Sequence, residues 1–279
     1  MTIDLRGKAI AITGASSGIG EATALACAAA GMHVALAARR IDRLTTLVDR
    51  IRASGGHATA RGLDVADKEA CAAFVAGAAS EIGGGTLYAV FANAGYGAEQ
   101  PVHLMPPQEL RRMFEVNLFG SLNVIYPALD LMLRNPAPHR GHVLWCSSCL
   151  ALMPVARGGP YSASKAAQHH LSRAMRIELA GEGVQVSSVH PIGTRTEFSQ
   201  AMLQSSGRVE RTRKSPDWIM QPPSRVADAV VACLRRPRAE VWPGFRAHVV
   251  RTVMCALAAW PALGDVIRRR TFVGKPDAP

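Results

Sequence analysis

With 279 residues and 48% hydrophobic content, the chain is long enough to bury one large core, and α/β folds of this size are often a single domain. Lys and Arg number 32 against 21 Asp and Glu, a net charge of +11, yet aromatic residues make up only 5%, too few for stacking platforms along a nucleic acid. No nucleic-acid module is present, so the basic balance reads as solvated surface, with attraction to a phosphorylated ligand as the functional alternative.

Met1 to Lys8 carries no apolar core of leader length, and six cysteines without a leader read as reduced thiols of a cytoplasmic protein. Short β-branched runs then alternate with alanine- and leucine-rich helical stretches, the pattern of one doubly wound parallel sheet with helices on both faces. Ala9 to Thr13 reads as a buried first strand, and a helix is expected from Glu21 onward. Between them lies Thr13-Gly14-Ala15-Ser16-Ser17-Gly18-Ile19-Gly20. In such a loop Gly14 permits the tight turn, Gly18 lets backbone approach a pyrophosphate, and Gly20 allows close helix–strand packing. The helix start then offers free N–H groups and a positive dipole to phosphate.

The second strand, His33 to Ala38, ends without an acid and is followed by Arg39 and Arg40. A missing carboxylate beside guanidinium groups suits a ribose 2′-phosphate, because Arg grips phosphate as a bidentate fork. Leu63-Asp64-Val65 follows another strand-like stretch, and a fourth strand from Leu87 to Ala92 leads into Asn93-Ala94-Gly95. Asn117 lies within Glu115 to Gly120, and a strand from Gly141 runs into Ser147 and Ser148. Cys146 and Cys149 spell C-x-x-C, but zinc would need two more ligands at matching spacing and none are offered, so no metal is expected.

Tyr161 and Lys165 are four residues apart and so share one helix face. A tyrosine titrates near ~10, too high for efficient proton transfer at neutral pH, and a fixed ammonium nearby favours the phenolate. Beyond a sixth strand, Val184 to Val189, comes His190-Pro191-Ile192-Gly193-Thr194-Arg195-Thr196. Residues 195–222 form the most irregular stretch, with Phe198, Met202, Leu203, Trp218, Ile219 and Met220 among polar and basic residues. A helix is expected from Pro222 to about Leu234, and a last strand at Glu240 to Trp242.

The ordered set T-G-x-x-x-G-x-G, Asn93-Ala94-Gly95, Asn117, Ser148 and Tyr161-x3-Lys165 resembles the short-chain dehydrogenase/reductase family, from about Lys8 to about Trp242. The resemblance implies a Rossmann-like catalytic domain over residues 1–244 and NADP(H) as cofactor. Gly14, Ser16, Ser17, Gly18, Ile19 and Gly20 would then hold the pyrophosphate, and Arg39 and Arg40 the 2′-phosphate. Asp64 and Val65 would meet the adenine, while Asn93, Ala94 and Gly95 would stabilise the sheet and meet the adenine-side ribose. Tyr161 is implied as general acid or base, and Lys165 as the group that lowers its pKa and binds the nicotinamide ribose. Ser148 would polarise the substrate carbonyl, thirteen residues before Tyr161, with Ser147 as its near competitor. Asn117 would hold a water that passes protons toward Lys165.

The family usually shows Pro-Gly where this chain has Pro191-Ile192, so Gly193 is expected to take over the permissive role. Thr196, then Thr194, would meet the carboxamide or pyrophosphate. Residues 195–222 correspond to the family's substrate lid, whose Met and aromatic content suggests a small to medium apolar carbonyl or alcohol substrate. An acyl-carrier thioester reductase is the second enzymatic reading, and a cofactor-sensing regulator the non-enzymatic one. A homodimer through the helices bearing Asn117 and Tyr161 is expected, with a tetramer as the alternative.

The extension over 245–279 is read as helical, with Val253, Met254, Leu257 and Trp260 against the body or a partner subunit. Its apolar segment is too short for a span of roughly 20 residues, and an interfacial helix on a membrane is the alternative.

Overall fold

Strand β1 (Ala9–Thr13) alternates alanine with isoleucine, and that alternation decides how the two faces of the sheet are covered. Successive strand side chains point to opposite faces. In the computed structural model, which describes residues 2–204 and 217–260 together with 262 and 265, Ile10 and Ile12 join one core and Ala9 and Ala11 the other. Strand β2 (His33–Ala38) repeats the pattern, sending Val34 and Leu36 to the first core and Ala35 and Ala37 to the second. The first core is closed by helices α1 (Gly18–Ala29), α2 (Ile41–Ala53) and, C-terminal in the chain, α8 (Pro223–Arg235). On the second face the alanines leave room for α3 (Lys68–Ile82) and α5 (Gly120–Met132) to lie close, with Phe74, Val75, Val124 and Ile125 filling the space. Side chains such as Ile12, Leu36 and Trp145 are completely buried, each worth roughly 1.5–3 kcal/mol of removed apolar surface.

The sheet has seven strands in the order β3-β2-β1-β4-β5-β6-β7, every pair parallel. Its other members are β3 (His57–Gly62), β4 (Ala89–Ala92), β5 (Gly141–Cys146), β6 (Val184–Val189) and β7 (Glu240–Val241). The order reverses between β1 and β4, and ligands of such sheets bind at the carboxyl ends of the strands beside this switch. Between β4 and β5, α4 (Pro107–Phe114) runs through a π-helical turn, Glu115–Phe119, into α5. Helix α6 (Gly159–Glu178) follows β5, and α7 (Glu197–Gln204) follows β6.

The strands expected at Ala9 to Thr13, His33 to Ala38 and Val184 to Val189 have those bounds. The helix expected from Glu21 starts three residues earlier, and the fourth strand starts at Ala89 rather than Leu87. Among the described residues no helix is long and apolar enough to cross a membrane.

Helix α9 (Gly244–Ala259) docks through Ala247 and Val250, with Met254 half-buried beside them, on Cys149, Ile192 and Trp242. The expected stripe is thus rotated: Met254 and Leu257 are partly covered, whereas Val253 is 51% and Trp260 69% exposed. Ala247 and Val250 are the two buried residues of the helix and so define its docked face. The Leu203 side chain, the basic run Arg208 to Lys214 and the tail from 266 on, with Arg268 to Arg270, lie outside the described residues.

Candidate active site

The carboxyl ends of β1, β4, β5 and β6 bring the motif residues to one edge of the sheet. At β1 the chain turns through Gly14, at φ +66°, where a side chain would sit 2.9 Å from the Ala94 backbone. Gly20 is needed for proximity alone, since a Cβ there would come within 2.3 Å of the Gly14 carbonyl oxygen. Asn93 clamps the two strand ends: its Nδ2 donates to the carbonyls of Thr13 and Gly14, while Thr13 Oγ1 accepts from the N–H groups of Asn93 and Ala94. Ile19 is half-buried against the first core, and Ser17 stands at the N-cap position of α1 in extended backbone, its side chain making no capping bond.

Arg40 lies across this loop, donating to Ser16 Oγ at 3.1 Å and Ser17 Oγ at 2.9 Å. Its Nη1 also pairs with Glu197 at 2.8 Å, and Arg43 reaches the other oxygen of the same carboxylate. Arg40 and Arg43 are thus paired at this edge through one carboxylate, and Arg39, exposed like both of them, lies next to Arg40 in the chain. Arg43 was missed from the sequence; the usable signal is its i+3 spacing from Arg40 at the start of α2, which places both on one side of the first turn. The start of α1, two serine hydroxyls and two guanidinium groups make a donor set suited to a phosphorylated dinucleotide.

Asp64 accepts from the Ala66 N–H through Oδ1 and pairs with Arg112 through Oδ2 at 3.1 Å, so both carboxylate oxygens already have a partner. Val65 is buried, its carbonyl accepting from Asn123 Nδ2. Thr196 lays its methyl group over Gly18, at 2.9 Å from where a Cβ would stand. Thr194 is buried and bridges to Gln221 at the base of the lid region. Gly193 takes no positive φ, so it does not supply the conformational freedom expected of it; a side chain there would instead meet Met220 sulfur at 2.7 Å. Ile192 fits in place of glycine because its backbone is ordinary and its side chain is buried against Trp242 and Ala247.

At the reacting end, Ser148 rather than Ser147 meets Tyr161. Ser147 donates its hydroxyl to the Lys165 carbonyl, while the Ser148 hydroxyl accepts from the Leu150 N–H at 3.1 Å and acts to lower the pKa of the Tyr161 phenol. Behind Ser148, a ring nitrogen of His190 lies 3.0 Å from the Ser148 carbonyl, and the Pro191 carbonyl accepts from Cys149. Cys146 and Cys149 are buried free thiols, both pushed up by burial, Cys149 to about 11.

Asn117 sits at the centre of the π turn, completely buried. Its amide donates to the Tyr96 carbonyl and Ser164 Oγ, and its Oδ1 accepts from the Tyr96 N–H. The Asn117 carbonyl accepts from Ser121 Oγ at 2.8 Å and from Gln168 Nε2 at 2.5 Å. Two donors fill both lone pairs of that oxygen. Lys165 is buried, donating to the Cys146 carbonyl at 2.8 Å and to Gln168 Oε1 at 2.9 Å. Gly95 leaves the space beside it, since a Cβ there would stand 3.4 Å from Lys165 Nζ.

The expected lowering of the Tyr161 pKa by Lys165 does not appear. Burial pushes the phenol up, the Ser148 hydroxyl opposes this in part, and the Lys165 ammonium stands 5.7 Å from the ring centroid, itself held below its usual range by burial. Dehydration outweighs the cation at this distance. Tyr161 packs in an apolar cluster with Ala98, Met105 and Met113, against which Leu150, Phe198 and Met202 lie, the Tyr161 and Phe198 rings 5.6 Å apart.

The family model of the short chain dehydrogenases matches residues 8–206. The chain belongs to that family. An uncharacterized oxidoreductase of Listeria innocua is 32% identical over 235 residues, covering 84% of this chain and 92% of its own. Among solved structures, an alcohol dehydrogenase of Thermococcus sibiricus complexed with 5-hydroxy-NADP superposes with a TM-score of 0.72 at 29% identity, over 84% of this chain and 94% of its own. A 3-ketoacyl-(acyl-carrier-protein) reductase of Brucella melitensis complexed with NADH gives 0.72 at 26%, over 84% and 93%. The short-chain dehydrogenase fold and oxidoreductase class are thus common to this chain and its relatives, whose nicotinamide cofactors are of both kinds.

Proposed function

We propose that this short-chain dehydrogenase interconverts an apolar ketone or aldehyde and its alcohol, using NADP(H). The observation that carries the reading is the Ser148 hydroxyl acting on the buried Tyr161 phenol among apolar side chains, one helical turn from the buried Lys165. The nicotinamide, when bound, supplies or accepts the hydride. Ser148 then orients and polarises the carbonyl oxygen, and the Tyr161 phenol delivers the proton that the developing alkoxide needs. Lys165, fixed from behind, favours the phenolate left on Tyr161. Phe198, Met202, Met105 and Leu150 exclude water and select substrates without charge near the carbonyl. NADP(H) over NAD(H) is supported by Arg40 beside Ser16, by Arg43 joined to it through Glu197, and by the lack of an acid at the end of β2.

A panel of aliphatic and aryl ketones, followed by NADPH oxidation at 340 nm with Tyr161→Phe as control, tests the reading. Turnover with no member of the panel and none with acyl thioesters would overturn it. The second reading, reduction of a 3-oxoacyl thioester on an acidic carrier, draws on the net charge of +11 and the likeness to the Brucella reductase. It is separated from the first by kcat/KM on a carrier-bound against a free thioester.

For assembly we propose a homodimer through α5 and α6, whose outer faces expose Tyr126, Leu171 and Ile177, with Phe119 exposed at the end of the π turn before α5. Six thiols without a disulfide suit a reducing compartment, the cytoplasm.

A further inference from the structure

Gln168 belongs to none of the motifs that mark this chain, yet it joins two of them. It lies three residues beyond Lys165 on α6 and is completely buried. Its Oε1 accepts from Lys165 Nζ at 2.9 Å, and its Nε2 donates to the Asn117 carbonyl at 2.5 Å and to Ser121 Oγ at 2.9 Å. The orientation of this amide is dictated by its neighbours: turned over, it would set an NH2 against an ammonium and an oxygen against a carbonyl. The Asn117 carbonyl is available because the π turn withdraws it from the regular helical ladder.

We propose that Gln168 is a positioning residue of the proton-transfer site, which holds Lys165 charged and in place by tying its ammonium directly to the π turn at Asn117. The proposal rests on the reading of Tyr161 as proton donor.

A buried ammonium is stable only with acceptors around it, and here two of its three N–H bonds go to the Cys146 carbonyl and Gln168. The acceptor Gln168 supplies is neutral. A carboxylate in the same place would cancel the cation that Tyr161 needs, and an apolar residue would leave a buried donor unmet. The amide therefore anchors the charge without spending it. Its other end is fixed to an oxygen whose second donor is Ser121, so Lys165 cannot swing without breaking a bond on a different helix. Among the described residues, the titratable groups close to Lys165 are Tyr161 on α6 and Cys146 at the end of β5, and Cys146 is kept a thiol by burial.

The test uses Gln168→Met, similar in length but without hydrogen bonds, and Gln168→Glu, identical in shape but chargeable. Two profiles are read: kcat against pH in steady-state ketone reduction, and Lys165 acetylation by acetic anhydride against pH in the cofactor-free protein, followed by mass spectrometry. With Gln168→Met, the alkaline limb of kcat and the midpoint of acetylation should both move to lower pH by about one unit or more, the loss of one hydrogen bond to a charged group. With Gln168→Glu, both should move to higher pH, and kcat at pH 7 should fall at least tenfold. A residue that merely fills space would move neither profile.

Folded variants with the parent's profiles, or both variants shifting the same way, would overturn the proposal. If Gln168→Met does not fold, the shape-preserving Gln168→Glu decides alone. A Tyr161→Phe enzyme that still turns over sinks the proton-donor reading itself. An inactive Tyr161→Phe combined with unmoved Gln168 profiles sinks only the role given to Gln168.

Discussion

Glu197 stands where an incoming 2′-phosphate would have to compete with it, and its replacement by Gln is the sharpest test of cofactor choice. The carboxylate pairs with Arg40 at 2.8 Å and Arg43 at 2.5 Å, and all three side chains are about half exposed, at 44%, 45% and 46%. At such exposure solvent screens each pair to roughly 0.2–1 kcal/mol, so releasing both guanidinium groups costs about 0.5–2 kcal/mol. That cost falls only on a cofactor whose phosphate must recruit them. Glu197→Gln should therefore tighten NADPH binding by roughly 2- to 30-fold while leaving NADH nearly unchanged, and the gain should shrink in 0.5 M salt. Titration of cofactor fluorescence with both dinucleotides, on parent and variant, measures the two Kd values. Arg40→Ala is the companion: NADPH should weaken at least about tenfold and NADH little. Equal changes in the Kd of both dinucleotides, or weaker NADPH binding to Glu197→Gln, would refute the argument, and so would a parent enzyme that prefers NADH.

Tyr161→Phe keeps the buried ring and removes the proton; a kcat loss of at least about 100-fold with NADPH affinity little changed is expected in steady-state and binding assays. Gly20→Ala places a methyl group against the Gly14 carbonyl and should cost about 1–3 kcal/mol, read as a lowered Tm together with lost cofactor binding. His142 and His190 are buried and neutral, their pKa values pulled down by burial to about 3 and about 4. The unfolded chain takes up protons on both near ~6.5 and the folded chain does not. Stability is therefore complete above pH 7 and falls with pH between 6.5 and 4, by up to about 2 kcal/mol for each histidine at pH 5. Thermal melts at pH 7.5 and 5.0 should show the drop, and His142→Gln should reduce it; a parent Tm equal at both would sink the claim.

The strand bounds of β1, β2 and β6, the glycine loop and the Tyr161–Lys165 pair were legible in the sequence because each depends on residues close together in the chain. Alternation along a strand, the need for glycine at a tight turn and the 3.6-residue helical period act over a few positions, and no distant partner is needed to see them. What Lys165 binds was not legible. Its acceptor, Gln168, is three residues away, but the amide is oriented by Asn117, 51 residues earlier, whose carbonyl is exposed by a π turn with no local signature that betrays it. Arg43 and Glu197 lie 154 residues apart, and only the fold brings α7 down onto the start of α2. The burial that raises Tyr161 against the pull of its lysine is likewise a property of packing, since Phe198 and Met202 reach it from beyond β6. Which residues gather at the candidate site was therefore written largely in local patterns. How they are charged, held and screened was decided in three dimensions, because desolvation and hydrogen-bond partnership depend on neighbours that the chain order does not bring together.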